Sequence, residues 1–258
     1  MKILNELEYC ENILKNGFED GKESLGFKML AKYYKSKGLD DVDIKKEIVK
    51  VCEEKISEFN MVLYYKYINN AVRYAKYENL FIVQPVRITQ NEISKIQDIG
   101  NLKKEKVAFT LLVLSKINYQ KQLCNDKYRD KAGYFINDSR TGIFKYAKLY
   151  VNKDQSYDIT SDLLRIGLIS PSGRKSYKVN FVDEDNATVI TISNFKDFVL
   201  EYEKYIGENI GYCSECKCPI RITSNRSKYC RECWKEIREN QNKNKALKYY
   251  HKNKNFTN

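Results

Sequence analysis

Histidine is almost absent: His251 is the only one in 258 residues. Its scarcity removes the Ser-His-Asp and Cys-His arrangements of nucleophilic catalysis and the HExxH helix of metalloproteases. Neither a phosphate-cradling GxxxxGK[ST] loop nor a Gly-rich dinucleotide fingerprint occurs. No apolar run approaches the roughly 18 residues that a membrane span needs. The longest, 107–114, is broken by Thr110. The opening stretch MKILNELEYCENILKN carries acids inside any would-be apolar region and has no small-residue cleavage site. It reads as a folded helix of a cytoplasmic protein, not as a signal peptide. Acidic clusters are few, and Asp40-Asp41 and Asp183-Glu184-Asp185 read as a helix cap and a solvated turn before any divalent-ion site. These absences point away from an enzyme.

Hydrophobic residues make up 42% of the chain and aromatics 13%, enough to build cores and to exclude wholesale disorder. The length suits one or two domains with a small third. The formal net charge is +12, which favours polyanionic partners. Its distribution says more than its total. Residues 211–258 hold 12 Lys or Arg against 4 Glu, a net +8, so the preceding 210 residues net only +4.

The first 80 residues read as four helices with short connections, a helical bundle. Ile3, Leu7, Cys10 and Leu14 form one stripe, ending at Gly17; Leu25, Met29, Leu30 and Tyr33 form a second, closed by Gly38. Asp40 or Asp41 can cap a third helix carrying Ile44, Ile48, Val51 and Cys52, and Asn60 a fourth carrying Leu63, Tyr67, Ala71 and Val72. FIVQPVRIT around Pro85 breaks the helical period as a short strand or extended linker. The expected fold is therefore mainly α with small β parts. Its divisions are a helical domain at 1–84, a linker at 85–99, a middle domain at 100–207, a cysteine-rich segment at 208–240 and a basic tail at 241–258.

In the middle domain, 102–117 reads as a buried helix, 119–131 as a loop and 133–136 as a short strand. Ser139 then caps one helix and Asn152 or Asp154 opens another that ends at Ile166-Gly167. SYKVNFV (176–182) and ATVITIS (187–193) alternate with period two about an acidic turn, the pattern of a hairpin, and 194–206 reads as a further helix. Over residues 100–195 this order resembles a winged helix-turn-helix domain. That resemblance makes 153–166 the recognition helix, with Arg165, Arg174 and Lys175 available to a DNA backbone. Acids stand against it: Asp154, Asp158 and Asp162 line one helix face, and the hairpin turn is acidic, which phosphates would repel. The same stripe suits a protein partner.

The pattern C213-S-E-C216 followed by C230-R-E-C233 places four thiolates where two tight turns can converge on one tetrahedral ion. Zn²⁺ suits four such ligands, and a site closed by four sulfurs has a structural role, with no position open for water. Cys218, two residues after Cys216, is poorly spaced for such a turn and reads as a nearby thiol. Arg226 and Lys228 lie between the pairs. Beyond them Arg231, Lys235, Arg238, Asn242, Lys245, Tyr249 and Lys252 recur at alternating spacings of four and three, one face of a helix, with Lys248 alongside. Trp234 and Ile237 can dock against the ribbon, and the distal helix has little to bury and frays when free. Such a basic helix can take a phosphate backbone.

Cys213, Cys216, Cys230, Cys233 and Trp234 match the form YCxxC…KYCxxCWKEI followed by a Lys/Asn/Arg-rich helix. Over about 40 residues the tail resembles uncharacterised zinc-ribbon proteins of Firmicute phages and integrated elements. The resemblance implies a DNA- or RNA-associated role. Two functions follow: a regulatory or replication and recombination accessory protein that binds DNA, duplex in preference to single strand, or a factor that docks on a DNA-bound recombinase, polymerase or defence nuclease.

Overall fold

A computed structural model describes residues 3–173, 176–224 and 227–254, the last seven of these by backbone alone. Ten α-helices and small antiparallel sheets make up the described residues. In chain order the helices are α1 (Glu6–Asn16), α2 (Glu23–Ser36), α3 (Asp41–Lys55), α4 (Met61–Ala75), α5 (Gln90–Gln97), α6 (Leu102–Leu123), α7 (Arg140–Tyr146), α8 (Lys153–Arg165), α9 (Val199–Tyr205) and α10 (Arg231–Lys254). The strands are β1 (Val86–Thr89), β2 (Phe135–Ile136), β3 (Ile169–Pro171), β4 (Tyr177–Val179), β5 (Thr188–Ile192), β6 (Ile210–Tyr212) and β7 (Pro219–Arg221). No helix among the described residues is long and apolar enough to cross a membrane. The chain divides into two compact units: residues up to Gln84 with Leu114–Ile136, and Pro85–Val113 with the residues from Asn137 onward.

The first unit contains the expected bundle. Helices start where a side-chain oxygen takes a backbone N–H that the first turn leaves unpaired. Asn5 accepts from Glu8, Asp40 from Val42 and Asp43, and Asn60 from Val62. α2 packs against α1, α3 and α4, which explains why most of 26–34 is buried. Gly26 lets it approach: a Cβ there would lie 2.6 Å from the Phe18 ring. Lys32 is enclosed in this core and pairs with Glu6 and, at 3.8 Å, with Glu78. Glu6 also accepts the Phe81 backbone N–H at 2.9 Å. Removing one partner alone would strand a buried charge. The latter part of α6 belongs here too, and it runs to Leu123, past the point where a loop was expected.

The second unit departs further from expectation. Residues 85–99 are not a linker but strand β1 and helix α5, joined by a capping box in which Thr89 and Glu92 exchange hydrogen bonds. The hairpin expected between 176–182 and 187–193 does not form. β4 pairs instead with β3, Ile169 opposite Val179 and Pro171 opposite Tyr177. β5 pairs with β1, Val86 opposite Ile192 and Ile88 opposite Ile190. The acidic segment between β4 and β5 is the cause. Asp183 donates its N–H to Glu92 at 2.8 Å, its carbonyl accepts from Thr89 at 3.1 Å, and Asn91 donates to its carboxylate. Alternation identified the strands but not their partners, and this anchoring delivers β5 to β1. The acidic segment is therefore no wing tip.

The core of the second unit includes Val86, Ile88, Ile93, Phe109, Leu163, Phe198 and Tyr202, all close to fully buried. The Tyr202 hydroxyl donates to Glu105 at 2.8 Å, and Lys106 pairs with the buried Glu203 at 2.8 Å. The helix expected over 194–206 begins only at Val199, because Asn194 and Lys196 are engaged elsewhere.

Candidate metal centre and basic helix

β6 and β7 pair antiparallel, Ile210 opposite Arg221 and Tyr212 opposite Pro219, and the turn between them carries Cys213 and Cys216. The turn closes through Cys213 N–H to Cys218 C=O at 2.9 Å and Lys217 N–H to Cys213 C=O at 3.1 Å. Lys217 takes the left-handed conformation that this reversal needs, with φ of 57°. Cys230 and Cys233 straddle the start of α10, one turn of helix apart. Ser214 N–H donates to Lys228 C=O at 2.9 Å, and Cys230 N–H to the Cys213 sulfur at 3.3 Å, which joins the two halves.

The four sulfurs of Cys213, Cys216, Cys230 and Cys233 lie within 4.8 Å of one another, a group that could hold a metal ion. Cys218 is fully buried, and its sulfur is 3.4 Å from that of Cys216, but it stands outside the foursome. Without a metal, the thiols are unequal. Burial opposes ionisation of Cys230, but hydrogen bonds from the Cys233 backbone and the Lys196 ammonium prevail and bring it down to about 6. Cys213 is also lowered: burial raises it, and backbone N–H groups of Cys230, Cys216 and Glu215 overcome that. Both shifts run toward the thiolate, the form in which a cysteine ligates a metal.

Sequence spacing missed the clamp around these thiols. Lys196 donates to the Cys230 sulfur at 3.2 Å and pairs with Glu232 on α10. Burial lowers the Lys196 pKa, yet Glu232 and Cys230 outweigh it and hold the ammonium charged. Asn194 donates to the Cys216 carbonyl at 2.7 Å. One short segment after β5 thus grips both cysteine pairs. α9 also contacts the ribbon, with Arg221 paired to Glu203 and the Tyr212 hydroxyl donating to Glu201 at 3.0 Å. Nothing in the cysteine spacing reveals residues 17 and 19 positions upstream of Cys213; the sole hint is an Asn and a Lys placed just after a strand.

α10 presents its bases to solvent. Arg231, Lys235, Arg238 and Lys245 are exposed, as is Lys228 before it. Lys235 lies 3.8 Å from Glu239, a loose surface pair. Trp234 is half exposed and stacks on Tyr229, ring centroids 6.4 Å apart, so it meets the ribbon through one face. The helix continues to Lys254. Arg174, Lys175 and Arg226 lie outside the described residues, as do the side chains of Lys248, Tyr249, Lys252 and His251. Of the acidic stripe, Asp154 and Asp158 are exposed, whereas Asp162 pairs with Lys104 at 2.6 Å and with Arg165. The hydrogen bond from Lys104 holds the Asp162 carboxyl below its usual range. The stripe is thus two free acids, not three, and Arg165 is partly neutralised.

No family model, curated protein or solved structure matches the chain.

Proposed function

We propose that the chain is a non-catalytic, zinc-stabilised nucleic-acid-binding protein, an accessory factor for regulation, replication or recombination in a phage or mobile element. The observation that carries this is a four-thiol cluster at the root of a helix whose bases stay exposed. A tetrahedral ion about 2.3 Å from each of four sulfurs makes sulfur–sulfur edges of about 3.8 Å. Cys216 and Cys230 are 3.7 Å apart. Zinc suits that donor set, needs no redox chemistry and leaves no open coordination position. Four thiolates around it carry a net charge of about −2, which Lys196 offsets in part. Holding the start of α10 against the ribbon fixes the direction of the basic helix, and its Lys and Arg supply affinity for a duplex backbone.

The element order α6, β2, α7, α8, β3, β4 supports a winged-helix reading with the hairpin one strand earlier than the sequence suggested. In that arrangement the connection from β3 to β4 is the wing. The exposed Asp154 and Asp158 support a second reading, in which α8 docks on a DNA-bound recombinase, polymerase or nuclease.

The test is metal content by native mass spectrometry together with duplex binding against salt. Purified chain is expected to carry one zinc. The triple variant Lys235→Ala, Arg238→Ala, Lys245→Ala is expected to lower the log–log salt slope by about 3, near one unit for each phosphate no longer neutralised. Zinc-free native protein, or no duplex binding at low salt, would overturn the proposal. Asp154→Lys with Asp158→Lys separates the readings: unchanged or tighter duplex binding favours docking on a protein, and weaker binding counts against it.

A further inference from the structure

The turn between α7 and α8 opens on a cleft of about 1060 Å³. Its wall is basic: Arg140 and Lys145 come from α7, Lys148 from the turn, Lys153 from the first residue of α8, and Arg221 from β7, the last already paired with Glu203. Among the described residues, Asp197 is the one carboxylate on that wall, and Lys148 holds it at 2.8 Å. The N-terminal end of α8 adds its own partial positive charge. Arg140 stacks over the Tyr157 ring at 3.5 Å, and its Nε is buried with no hydrogen-bond partner. At the rim stands Tyr150, fully exposed at 104% relative accessibility.

A concave, basic wall calls for a polyanion. The tyrosine narrows the choice. A duplex keeps its bases stacked inside and shows a bound protein mainly phosphates and groove edges, so an open ring at the rim gains little from it. An unpaired strand offers both a phosphate and the face of a base, and aromatic stacking beside a cationic groove is how single strands are held without regard to sequence. We propose that this cleft takes an unpaired nucleotide strand, Tyr150 stacking on one base while Lys145 and Lys153 meet its phosphates. The cleft is a second binding surface, separate from α10, and gives the protein a way to sense single-stranded ends or bubbles beside the duplex that the basic helix holds.

The full chain is titrated by fluorescence anisotropy with a 12-nucleotide oligothymidylate, an oligouridylate of the same length and a 12-base-pair duplex. Tyr150→Ala is expected to weaken single-strand binding about tenfold, with duplex affinity within twofold. Tyr150→Trp should retain single-strand affinity, which isolates stacking from folding. Lys145→Gln with Lys153→Gln should flatten the single-strand salt slope by about 1.4. DNA and RNA strands are distinguished by which oligonucleotide shows the tyrosine effect. A Tyr150→Ala effect below twofold on both strands, or an equal loss on the duplex, overturns the proposal. Arg238→Gln with Lys245→Gln keeps the two surfaces apart: if that pair leaves duplex binding intact while Tyr150→Ala still costs single-strand binding, the basic-helix reading fails and the cleft stands.

Discussion

Asp183 illustrates how one carboxylate can direct the pairing of a strand. Its side chain accepts hydrogen bonds from Asn91, from the Asp185 backbone at 3.1 Å and from Asn186, and these, the Asn91 bond foremost, hold its pKa below the usual carboxylate range. The unfolded value is about 3.9. A carboxyl lowered on folding binds fewer protons in the folded state, so stability rises with pH across that interval. The contribution of Asp183 is therefore complete above about pH 4 and is lost as pH falls through the lowered folded value. Asp183→Ala should lower Tm by a few degrees at pH 6, and the gap between wild type and variant should narrow as pH falls toward 2. A gap that stays constant with pH in thermal melts would show that ionisation is irrelevant there. The sequence displayed this residue plainly but as part of a solvated turn. The partners that tie it to β1 and α5, Thr89, Asn91 and Glu92, lie about 90 positions upstream, and no local pattern can point that far. The same limit hid Asn194 and Lys196 beside the thiols.

At the level of elements, legibility followed locality. α1 to α4 were readable because an apolar stripe lies within one helix, flanked by a nearby cap at Asp40 or Asn60 or a stop at Gly17 or Gly38, whereas the Asn5 cap went unread and α2 has no side-chain cap. The four cysteines were readable for a similar reason, since metal geometry imposes its spacing on short turns. Strand partners were not. The pattern of 176–182 and 187–193 was that of two strands, and two strands came of it, each bonded to a third party. Thr89 ties these elements together, since its hydroxyl caps α5 at Glu92 N–H and donates to the Asp183 carbonyl. Thr89→Ala should cost about 1 to 2 kcal/mol, the upper range for losing such a cap. Urea unfolding should show a lower midpoint at unchanged slope, with Thr89→Ser recovering most of it. A midpoint indistinguishable from wild type would mean that the hydroxyl does not join β1 to the segment before β5.

For the whole molecule, the net charge of +12 separates into a nearly balanced body and a basic end, and the thiol group sits at the junction. If it holds a metal, chelation acts locally. The first unit has no such group among its described residues, and its core is built of α1 to α4. Prolonged treatment with a strong chelator should abolish hydrogen-exchange protection across β6, β7 and the first turns of α10, and leave α2 protected. Protection unchanged in the ribbon would mean that Asn194, Lys196, Arg221 and Tyr212 suffice to hold it. The pairing of Val86 with Ile192 has a further consequence, one of timing. The bundle helices meet neighbours close by in the chain and can assemble at once, whereas the β1–β5 ladder must first close a loop of about 100 residues, an entropic delay that grows with sequence separation. During that interval two apolar strands wait without partners, so the period of greatest exposure to aggregation belongs to the second unit, after the first has already closed.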